Sequence, residues 1–470
     1  MTVARDLARF ARRASWEELS EEARRALKVR VLDALGCAIG AQAGPPVRAI
    51  RARVEEFGGH PVCTQIGGGR TSPDRAALYN GALVRYLDFN DSYLAPGETC
   101  HPSDNLGAVL AAAEYAGATG RDLLAALAVS YQVQCRLSDE APVRARGFDH
   151  TTQMAFAAAA GAAKALGLDA ETATNAIAIA GTTGIDLRVT RTGALSNWKG
   201  LAAPHTGFDA LHSTFLAMGG VTGPGEVFEG NKGFMESVSG PFDIDWARED
   251  LERVTRTILK RYNAEIHSQS ALEGLLELRE RHGFAGEDIE TIELDIFDVA
   301  YDIIGGGEEG AKVTVRTKEE ADHSLPYLLA VAVLDGQVLP EQYAPERIAG
   351  GDAQSLLRRV TVRPDDRLSE RFPDQHACRL AVRLRDGRTL EADKTDYEGF
   401  HTRPMRWETV VAKFDRLSEP YAEAGLRREI VETVRELESA RVSDLTSLLA
   451  LAGDRARATG NVERSISHDQ

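Results

Sequence analysis

Apolar residues in the first half of the chain recur with the period of an α-helix. Between residues 21 and 39 they fall on one face, and Ser20 stands directly before this run, where an N-cap residue belongs. The same spacing predicts further helices at 74–87, 105–116, 121–137, 151–166, 170–180 and 202–219. Gly117 and Gly167 each follow one of these segments at the C′ position. Because the segments are rich in Ala and Gly, they predict closely packed helices in a buried bundle.

The pattern changes after about Gly283. Apolar and polar side chains then alternate in short runs, as in strands, at 289–299, 359–362, 378–384 and 389–394. Asp386-Gly387 separates the last two runs and is typical of a β-hairpin turn. Helical spacing recurs at 267–281, 324–334, 405–417 and 426–437. The chain is therefore predicted to be mainly α, with a large all-helical domain and a second, smaller α/β domain.

The same changes predict the domain borders. The helical domain is expected over residues 1–267, the smaller α/β domain over 268–400, and a return to the helical domain over 401–454. Residues 455–470 are polar and weakly patterned, which predicts a disordered tail. A length of 470 residues fits two domains better than one core.

Charge and cysteine content exclude several classes of partner. The net charge is −16, from 55 basic and 71 acidic residues, whereas nucleic acids and anionic membranes require a basic face. The longest apolar stretch, 155–168, is broken by Lys164 and is too short to span a bilayer, and residues 1–13 lack the apolar core of a secretion signal. The five cysteines form no Cys-x-x-Cys pair, which fits a reducing cytosol. We therefore expect a cytoplasmic protein without a nucleic-acid or membrane partner.

Motifs for cofactors are also missing from the sequence. The glycine clusters at 67–69, 219–225 and 305–310 match neither a phosphate-binding loop nor a dinucleotide fingerprint. The sequence has no G-x-S-x-G elbow and no His/carboxylate spacing typical of a metal site. Without a cluster of cysteine ligands, an iron–sulfur centre is not expected either. We expect no cofactor and no metal.

The residues best suited to chemistry lie in one polar segment with turn-forming residues. Asp88, Asp91 and Ser92 are followed by His101 in the run His-Pro-Ser-Asp-Asn. Loops on a rigid scaffold often carry catalytic groups. The alternative interpretation is structural: the two aspartates cap a helix and His101 packs under a turn.

Four further segments contain polar residues of the same kind. The first is Gly-Phe-Asp-His, which ends at His150, and the second combines Leu-Arg, which ends at Arg188, with Trp-Lys-Gly around Lys199. The third begins at Lys260 and ends with Ala-Glu-Ile-His at His267. The fourth is Ala-Asp-His-Ser, shortly before Tyr327. The first two also have structural explanations: Asp149 can cap a helix, and Lys199 can lie on the surface. Together with the segment around His101, these four segments resemble the signature of the MmgE/PrpD family over roughly residues 20–440.

The resemblance implies a fold and an activity. The family includes 2-methylcitrate dehydratase, cis-aconitate decarboxylase and related lyases and isomerases. It implies an all-helical domain, a smaller α/β lid with the site between them, and a homodimer. The resemblance is strongest to the 2-methylcitrate dehydratase branch of propionate breakdown and the methylcitrate cycle. A hydro-lyase forming 2-methyl-cis-aconitate is therefore expected, with a small tricarboxylate or dicarboxylate as substrate.

Such a reaction needs a base, an acid and cations that stabilise developing negative charge. The expected catalytic residues are Asp88, Asp91, His101, His150 and Lys199. The expected substrate-binding residues are Ser92, Arg188, Lys260, His267 and Tyr327. We expect these side chains to converge in one cleft. A decarboxylase, an isomerase or epimerase on a related substrate, and a non-catalytic carboxylate-binding relative remain alternatives.

Overall fold

A computed structural model describes residues 2–453 of the chain. It is mainly helical with a small mixed sheet, so the predicted fold class is confirmed. Within the described residues the chain forms two compact units. The first comprises 2–188, 200–257 and 406–453, and the second comprises 189–199 and 258–405. The domain borders expected at 267 and 400 stay predictions, and the expected tail at 455–470 lies outside the described residues.

Nine helices carry the first unit as far as residue 218. They are α1 (Val3–Arg13), α2 (Glu21–Gly40), α3 (Pro45–Phe57), α4 (Pro73–Tyr86), α5 (Leu106–Tyr115), α6 (Gly120–Glu140), α7 (Thr151–Ala165), α8 (Ala170–Thr183) and α9 (Ala202–Met218). The hydroxyl of Ser20 accepts the backbone N–H of Ala23, which confirms the expected cap of α2. Helices α1 and α3 were not predicted from the sequence.

Small residues allow the helices of this unit to pack closely, as their composition predicted. A Cβ added to Gly107 of α5 would lie 2.7 Å from the backbone nitrogen of Gly81 in α4. One added to Gly161 of α7 would collide with the hydroxyl of Ser130 in α6. Larger side chains at these positions would separate the helices on which the polar segment around His101 rests.

Two short hairpins interrupt the helices of the first unit. Strand β1 (Cys63–Thr64) pairs with β2 (Arg70–Thr71), and β3 (Tyr93–Ala95) pairs with β4 (Glu98–Cys100), both antiparallel. The second hairpin lies where the sequence indicated only a loop. Because Tyr93 pairs with Cys100, the residues just outside the hairpin, Ser92 and His101, lie side by side.

The second unit is built on a four-stranded sheet. Its strands are β5 (Ile289–Ile296), β6 (Val360–Pro364), β7 (Cys378–Leu384) and β8 (Thr389–Lys394). They lie in the order β6-β5-β7-β8, with β5 and β6 parallel and the other pairs antiparallel. The helices of this unit are α10 (Gln269–His282), α11 (Asp298–Ala300), α12 (Lys318–Ala321), α13 (Leu325–Asp335), α14 (Pro345–Ile348), α15 (Gly351–Leu356) and α16 (Asp366–Ser369). The apolar faces of β5 and β7 join α10 and α13 in one buried core.

The chain then returns to the first unit with α17 (Trp407–Ser418), α18 (Ala424–Arg435) and α19 (Val442–Leu451). The ammonium group of Lys413 in α17 lies 2.7 Å from Asp33 Oδ1 of α2. It also donates to the backbone carbonyl of Phe89 at 2.7 Å. Lys413 therefore fastens the segment that contains Asp88 and Asp91 to two helices. Among residues 2–453, every helix is too short or too polar to cross a membrane.

Candidate functional site

The first unit brings two of the predicted catalytic histidines together. The ring centroids of His101 and His150 are 5.3 Å apart, in an edge-to-face arrangement. His101 precedes a short 3-10 helix at Pro102–Asn105, and His150 stands at the start of α7. We call Ser92, His101, Asp149 and His150 the histidine cluster; all four are buried.

Hydrogen bonds fix the tautomer of His101. Its Nδ1 atom lies 2.8 Å from the backbone carbonyl oxygen of Asp91 and 3.0 Å from the hydroxyl of Ser92. Because a carbonyl oxygen only accepts hydrogen bonds, Nδ1 carries the ring hydrogen. Nε2 is then the nitrogen of His101 that takes up or releases a proton. The hydroxyl hydrogen of Ser92 is not used on His101, so it can be donated to another acceptor.

His150 has a different partner. Its Nδ1 atom lies 2.9 Å from a carboxylate oxygen of Asp149, which is fully buried. The same oxygen accepts the backbone N–H of Thr151 at 3.3 Å, so Asp149 satisfies one N–H group at the start of α7, although the N-cap position is that of His150. An ionised carboxylate only accepts, so Nδ1 of His150 is protonated and Nε2 is again the exchangeable nitrogen.

Asp88 adopts a left-handed backbone conformation, with φ at 54°. Its carboxylate accepts a hydrogen bond of 2.6 Å from Arg85, which lies one helical turn earlier in α4. Arg85 Nε is also 3.5 Å from Asp104 Oδ2, and the amide of Asn90 donates to Asp104 Oδ1 at 2.8 Å. This buried network holds the loop in place. Arg85 and Asp104 were not among the residues predicted from the sequence, although the i, i+3 spacing from Arg85 to Asp88 was a usable signal.

Asp91 has structural partners within the first unit. One carboxylate oxygen accepts the backbone N–H of Ser103 at 3.0 Å, and the other accepts the hydroxyl of Tyr131 at 2.7 Å. Burial raises the pKa of Asp91, although these two hydrogen bonds favour its charged form. Through its backbone carbonyl, Asp91 also orients His101. These contacts favour a positioning role for Asp91.

Arg188 lies near the histidine cluster but is held by other groups. Its backbone N–H donates to the carbonyl of Gly147 at 2.9 Å. Its positive charge favours the ionised form of Glu98, although burial outweighs this effect and raises the pKa of Glu98. Glu98 in turn accepts the backbone N–H groups of Val143 and Arg144. Glu98 therefore ties hairpin β3–β4 to the turn that precedes His150.

The second unit contains a cluster of cations around one carboxylate. Lys199 Nζ lies 3.0 Å from Asp322 Oδ1 and 3.0 Å from His323 Nδ1. His323 Nδ1 is itself 2.7 Å from Asp322 Oδ1, and Lys318 Nζ is 2.7 Å from Asp322 Oδ2. We call these four residues the lysine cluster. Lys199 is only 2% exposed, so the alternative that it is an ordinary surface lysine is wrong.

The charges of the lysine cluster stabilise an ionised aspartate. Burial alone would raise the pKa of Asp322, but the charges of Lys199, Lys318 and His323 hold it far below its usual range. Both oxygens of this carboxylate are occupied by cationic groups. Burial lowers the pKa of Lys312, and the charge of Lys199 lowers it further, although Glu309 and other carboxylates act in the opposite direction. Such an arrangement suits binding of an anion.

The remaining predicted residues of the second unit are also buried. Lys260 is fully buried in an irregular segment. His267 lies in a 3-10 helix between the rings of Phe297 and Phe372, with centroids at 5.5 and 5.6 Å. It stacks at 6.1 Å on His376, a buried histidine that the sequence analysis missed. The hydroxyl of Tyr327 donates to the backbone carbonyl of Gln342 at 2.5 Å.

The predicted residues thus form two sets. Asp88, Asp91, Ser92, His101, His150 and Arg188 belong to the first unit, and Lys199, Lys260, His267 and Tyr327 belong to the second. The structure adds Arg85, Asp104 and Asp149 to the first set and Asp322, His323 and His376 to the second. The convergence of both sets in one cleft stays a prediction.

Comparisons with known proteins agree with these motifs. The chain is 28% identical over 457 residues to an alkylcitrate dehydratase of a fungal species (strain ATCC 74256), covering 91% of this chain and 89% of the relative. It is 27% identical over 401 residues to the 2-methylcitrate dehydratase of Escherichia coli (strain K12), covering 79% and 81%. It is 26% identical over 438 residues to a probable 2-methylcitrate dehydratase of Saccharomyces cerevisiae (strain ATCC 204508 / S288c), covering 86% and 83%.

Family models match almost the whole described chain. Residues 5–247 match the MmgE/PrpD N-terminal domain, and residues 262–439 match the MmgE/PrpD C-terminal domain. All four residues of the histidine cluster lie in the first matched segment, and Asp322 and His323 lie in the second. The chain therefore belongs to the MmgE/PrpD family, as its motifs indicated.

Proposed function

We propose that the protein is a hydro-lyase that dehydrates a citrate-type hydroxytricarboxylate, with 2-methylcitrate as substrate and 2-methyl-cis-aconitate as product. The observation that carries this proposal is the buried pair of His101 and His150, whose rings are 5.3 Å apart. Each has its Nδ1 hydrogen committed to an acceptor, so each offers Nε2 for proton transfer. The names of the similar proteins support the same reaction class.

The reaction needs two proton movements on neighbouring carbons. A base removes the carbon-bound proton next to a carboxylate, and the electron pair of that C–H bond forms the double bond. The carbon–oxygen bond breaks, and an acid protonates the departing hydroxide to give water. Two histidines supply a base and an acid without a metal ion. Ser92 has a hydroxyl hydrogen to donate to a substrate oxygen.

Positive charge is required to hold the substrate carboxylates. Lys199 in the lysine cluster, Lys260 and Arg188 are the proposed carboxylate-binding residues, with His267 and Tyr327 as further contacts. An arginine can bind a carboxylate through two parallel hydrogen bonds, and a lysine acts as a point charge. We propose that Asp88, paired with Arg85, assists the proton transfers, and that Asp91 positions His101.

A substrate panel tests the function. The purified protein is incubated separately with citrate, 2-methylcitrate, longer 2-alkylcitrates, cis-aconitate and hydroxydicarboxylates, and ultraviolet absorbance reports new conjugated double bonds. We expect the largest kcat/KM with 2-methylcitrate or another 2-alkylcitrate. Incorporation of deuterium from heavy water into recovered substrate is followed in parallel, because it detects proton abstraction even without elimination.

The same panel distinguishes the alternatives. Release of carbon dioxide from cis-aconitate would indicate a decarboxylase, and deuterium exchange with inversion but without elimination would indicate an isomerase or epimerase. Stabilisation against heat by these acids without turnover or exchange would indicate a carboxylate-binding relative. Each of these results would overturn the dehydratase proposal.

We also propose a homodimer in which the first unit supplies the interface. Several large apolar residues of this unit have more than a third of their surface exposed to solvent, namely Ile185, Leu187, Leu216, Met218 and Val221. Removal of such side chains from water stabilises association. Light scattering at micromolar concentration is expected to report twice the chain mass, and the mass of one chain would contradict the proposal. The cytoplasmic location stays a prediction.

A further inference from the structure

The two histidines of the histidine cluster differ in the partner of Nδ1. For His101 the partners are a neutral backbone carbonyl, 2.8 Å away, and a neutral hydroxyl. For His150 the partner is the buried carboxylate of Asp149 at 2.9 Å. A carboxylate stabilises the positively charged imidazolium by direct attraction, and a neutral carbonyl does so only weakly. The environment therefore favours a protonated His150 and a neutral His101.

From this difference we propose that His150 is the general acid of the reaction, that His101 is the general base, and that Asp149 is the positioning residue that makes His150 the acid. The inference rests on the proposed dehydration. His101 Nε2 takes the carbon-bound proton, and the electrons of the C–H bond form the double bond. The leaving hydroxide takes the proton from His150 Nε2 and departs as water. Exchange with solvent returns both histidines to their starting states.

Other carboxylates of the first unit have partners of their own. Glu98 of β4 interacts electrostatically with Asp149 and Arg188. The carboxylate of Asp186 accepts the hydroxyls of Thr151 and Thr206 at 2.7 and 2.9 Å. On the other side, the Asp91 carboxylate is occupied by Ser103 and Tyr131.

Backbone hydrogen bonds also fix the position of Asp149 next to His150. The backbone N–H of Asp149 donates to the carbonyl of Asp186 at 2.9 Å, and its carbonyl accepts the N–H of Thr152 at 3.0 Å. Phe148 forms an antiparallel bridge with Leu187 next to it. These bonds fix the backbone of Asp149 at the start of α7, and its carboxylate is held there by the backbone N–H of Thr151 at 3.3 Å. This rigidity is what a group that fixes a tautomer requires.

The first test needs no substrate. Nitrogen NMR of the intact protein with labelled histidines, assigned with His101→Gln and His150→Gln variants, reports the tautomer and the charge of each ring during a pH titration. We expect both rings to carry hydrogen on Nδ1, and His150 to stay protonated to a higher pH than His101. A His150 ring that is protonated only on Nε2, or that loses its proton at lower pH than His101, would overturn the inference.

The second test uses the reaction. Asp149→Asn keeps the size of the side chain and an acceptor for the N–H of Thr151 but removes the charge, and its amide N–H can force the other tautomer on His150. We expect kcat to fall by roughly 10²–10⁴-fold. We also expect the alkaline limb of the pH–rate profile to move to lower pH, while the acidic limb, which reports His101, stays in place.

Asp186→Asn is the matched control, because it removes a carboxylate at the same end of α7 that does not contact a histidine. It is expected to leave both limbs of the profile unchanged. An Asp149→Asn protein with both limbs in place, or with only the acidic limb shifted, would refute the assignment of acid and base. If Asp149→Asn fails to fold, the NMR titration of the unmodified chain decides. Absence of turnover with every acid of the panel would reject the proposed reaction but leave the NMR result meaningful.

Discussion

The histidine cluster and the lysine cluster use one buried carboxylate in opposite ways. In the first unit, the carboxylate of Asp149 lies 2.9 Å from Nδ1 of His150. In the second unit, Asp322 is shared by Lys199, Lys318 and His323, all within 3.0 Å. A carboxylate that accepts the Nδ1 hydrogen of an imidazole sets the tautomer of that ring and stabilises its charged form. A carboxylate shared by several cations fixes their positions and leaves excess positive charge nearby.

This difference predicts different kinetic consequences for the two clusters. Loss of a proton-transfer group lowers the rate of the chemical step, whereas loss of a charge that holds the substrate weakens binding. The two effects appear separately in kcat and KM when chemistry is slow relative to substrate dissociation. Substitutions in the two clusters therefore test whether the division of labour is real.

The largest effect is expected for His101→Ala. Removal of a positioned proton-transfer residue lowers kcat by roughly 10²–10⁴-fold, and KM should change little. Steady-state kinetics with the best substrate of the panel measures both constants. His205→Ala, which removes an exposed histidine of α9, is the control and should leave both near their original values. A change confined to KM would show that His101 binds substrate rather than transferring a proton.

A smaller effect is expected for Lys199→Ala. If its ammonium group holds a substrate carboxylate, KM should rise by about 10- to 100-fold, the cost of one charged hydrogen bond. The value of kcat should fall only as far as charge develops on that carboxylate in the transition state. Lys232→Ala, at an exposed position, serves as the control. Abolished turnover at saturating substrate would instead make Lys199 the base.

The next effect concerns stability rather than activity. Burial and the neighbouring His267 lower the pKa of His376 well below its ordinary value, so this histidine is neutral in the folded protein. The unfolded chain binds a proton at His376 below about pH 6.5, so the free energy of unfolding decreases as the pH falls through that value. Between pH 7 and pH 5 the protein is therefore expected to lose stability, because the unfolded chain gains this proton more readily than the folded protein.

His376→Gln removes this titration and keeps a polar group near the hydroxyl of Ser270, which lies 2.8 Å from His376 Nδ1. Urea unfolding at both pH values should show a smaller decrease in stability for the variant than for the original protein. The control is His282→Gln, at an exposed position at the end of α10. An equal decrease in original protein and variant would mean that His376 is protonated in the folded state.

The smallest expected effect is none at all. Incubation with a metal chelator followed by gel filtration should leave kcat and KM unchanged, because imidazole, carboxylate and ammonium groups suffice for the proposed acid–base steps. Metal analysis of the treated protein verifies that the treatment worked. Lost activity that returns with added iron or magnesium would refute the metal-free mechanism.

Sequence periodicity predicted most of the regular structure because it depends on local spacing. The predicted helices at 21–39 and 151–166 correspond to Glu21–Gly40 and Thr151–Ala165, and the two strands of the Asp386-Gly387 hairpin were predicted with their observed bounds. Periodicity did not predict the hairpin of β3 and β4. Its strands are three residues each, and the turn-forming residues Pro96 and Gly97 between them indicate a loop.

The sequence by itself determined the fold class, the family and most of the residue types available for chemistry, since these depend on composition, periodicity and motifs. Only the tertiary structure decided which atoms face each other. It paired His150 with Asp149, gave His101 a neutral carbonyl, and placed Asp91 against Ser103 and Tyr131. It also made Asp322 the common partner of Lys199 and Lys318, which are distant in sequence. The roles of like residues differ because burial and long-range partners, such as Tyr131 for Asp91 and Lys199 for Asp322, set which proton or charge each side chain holds.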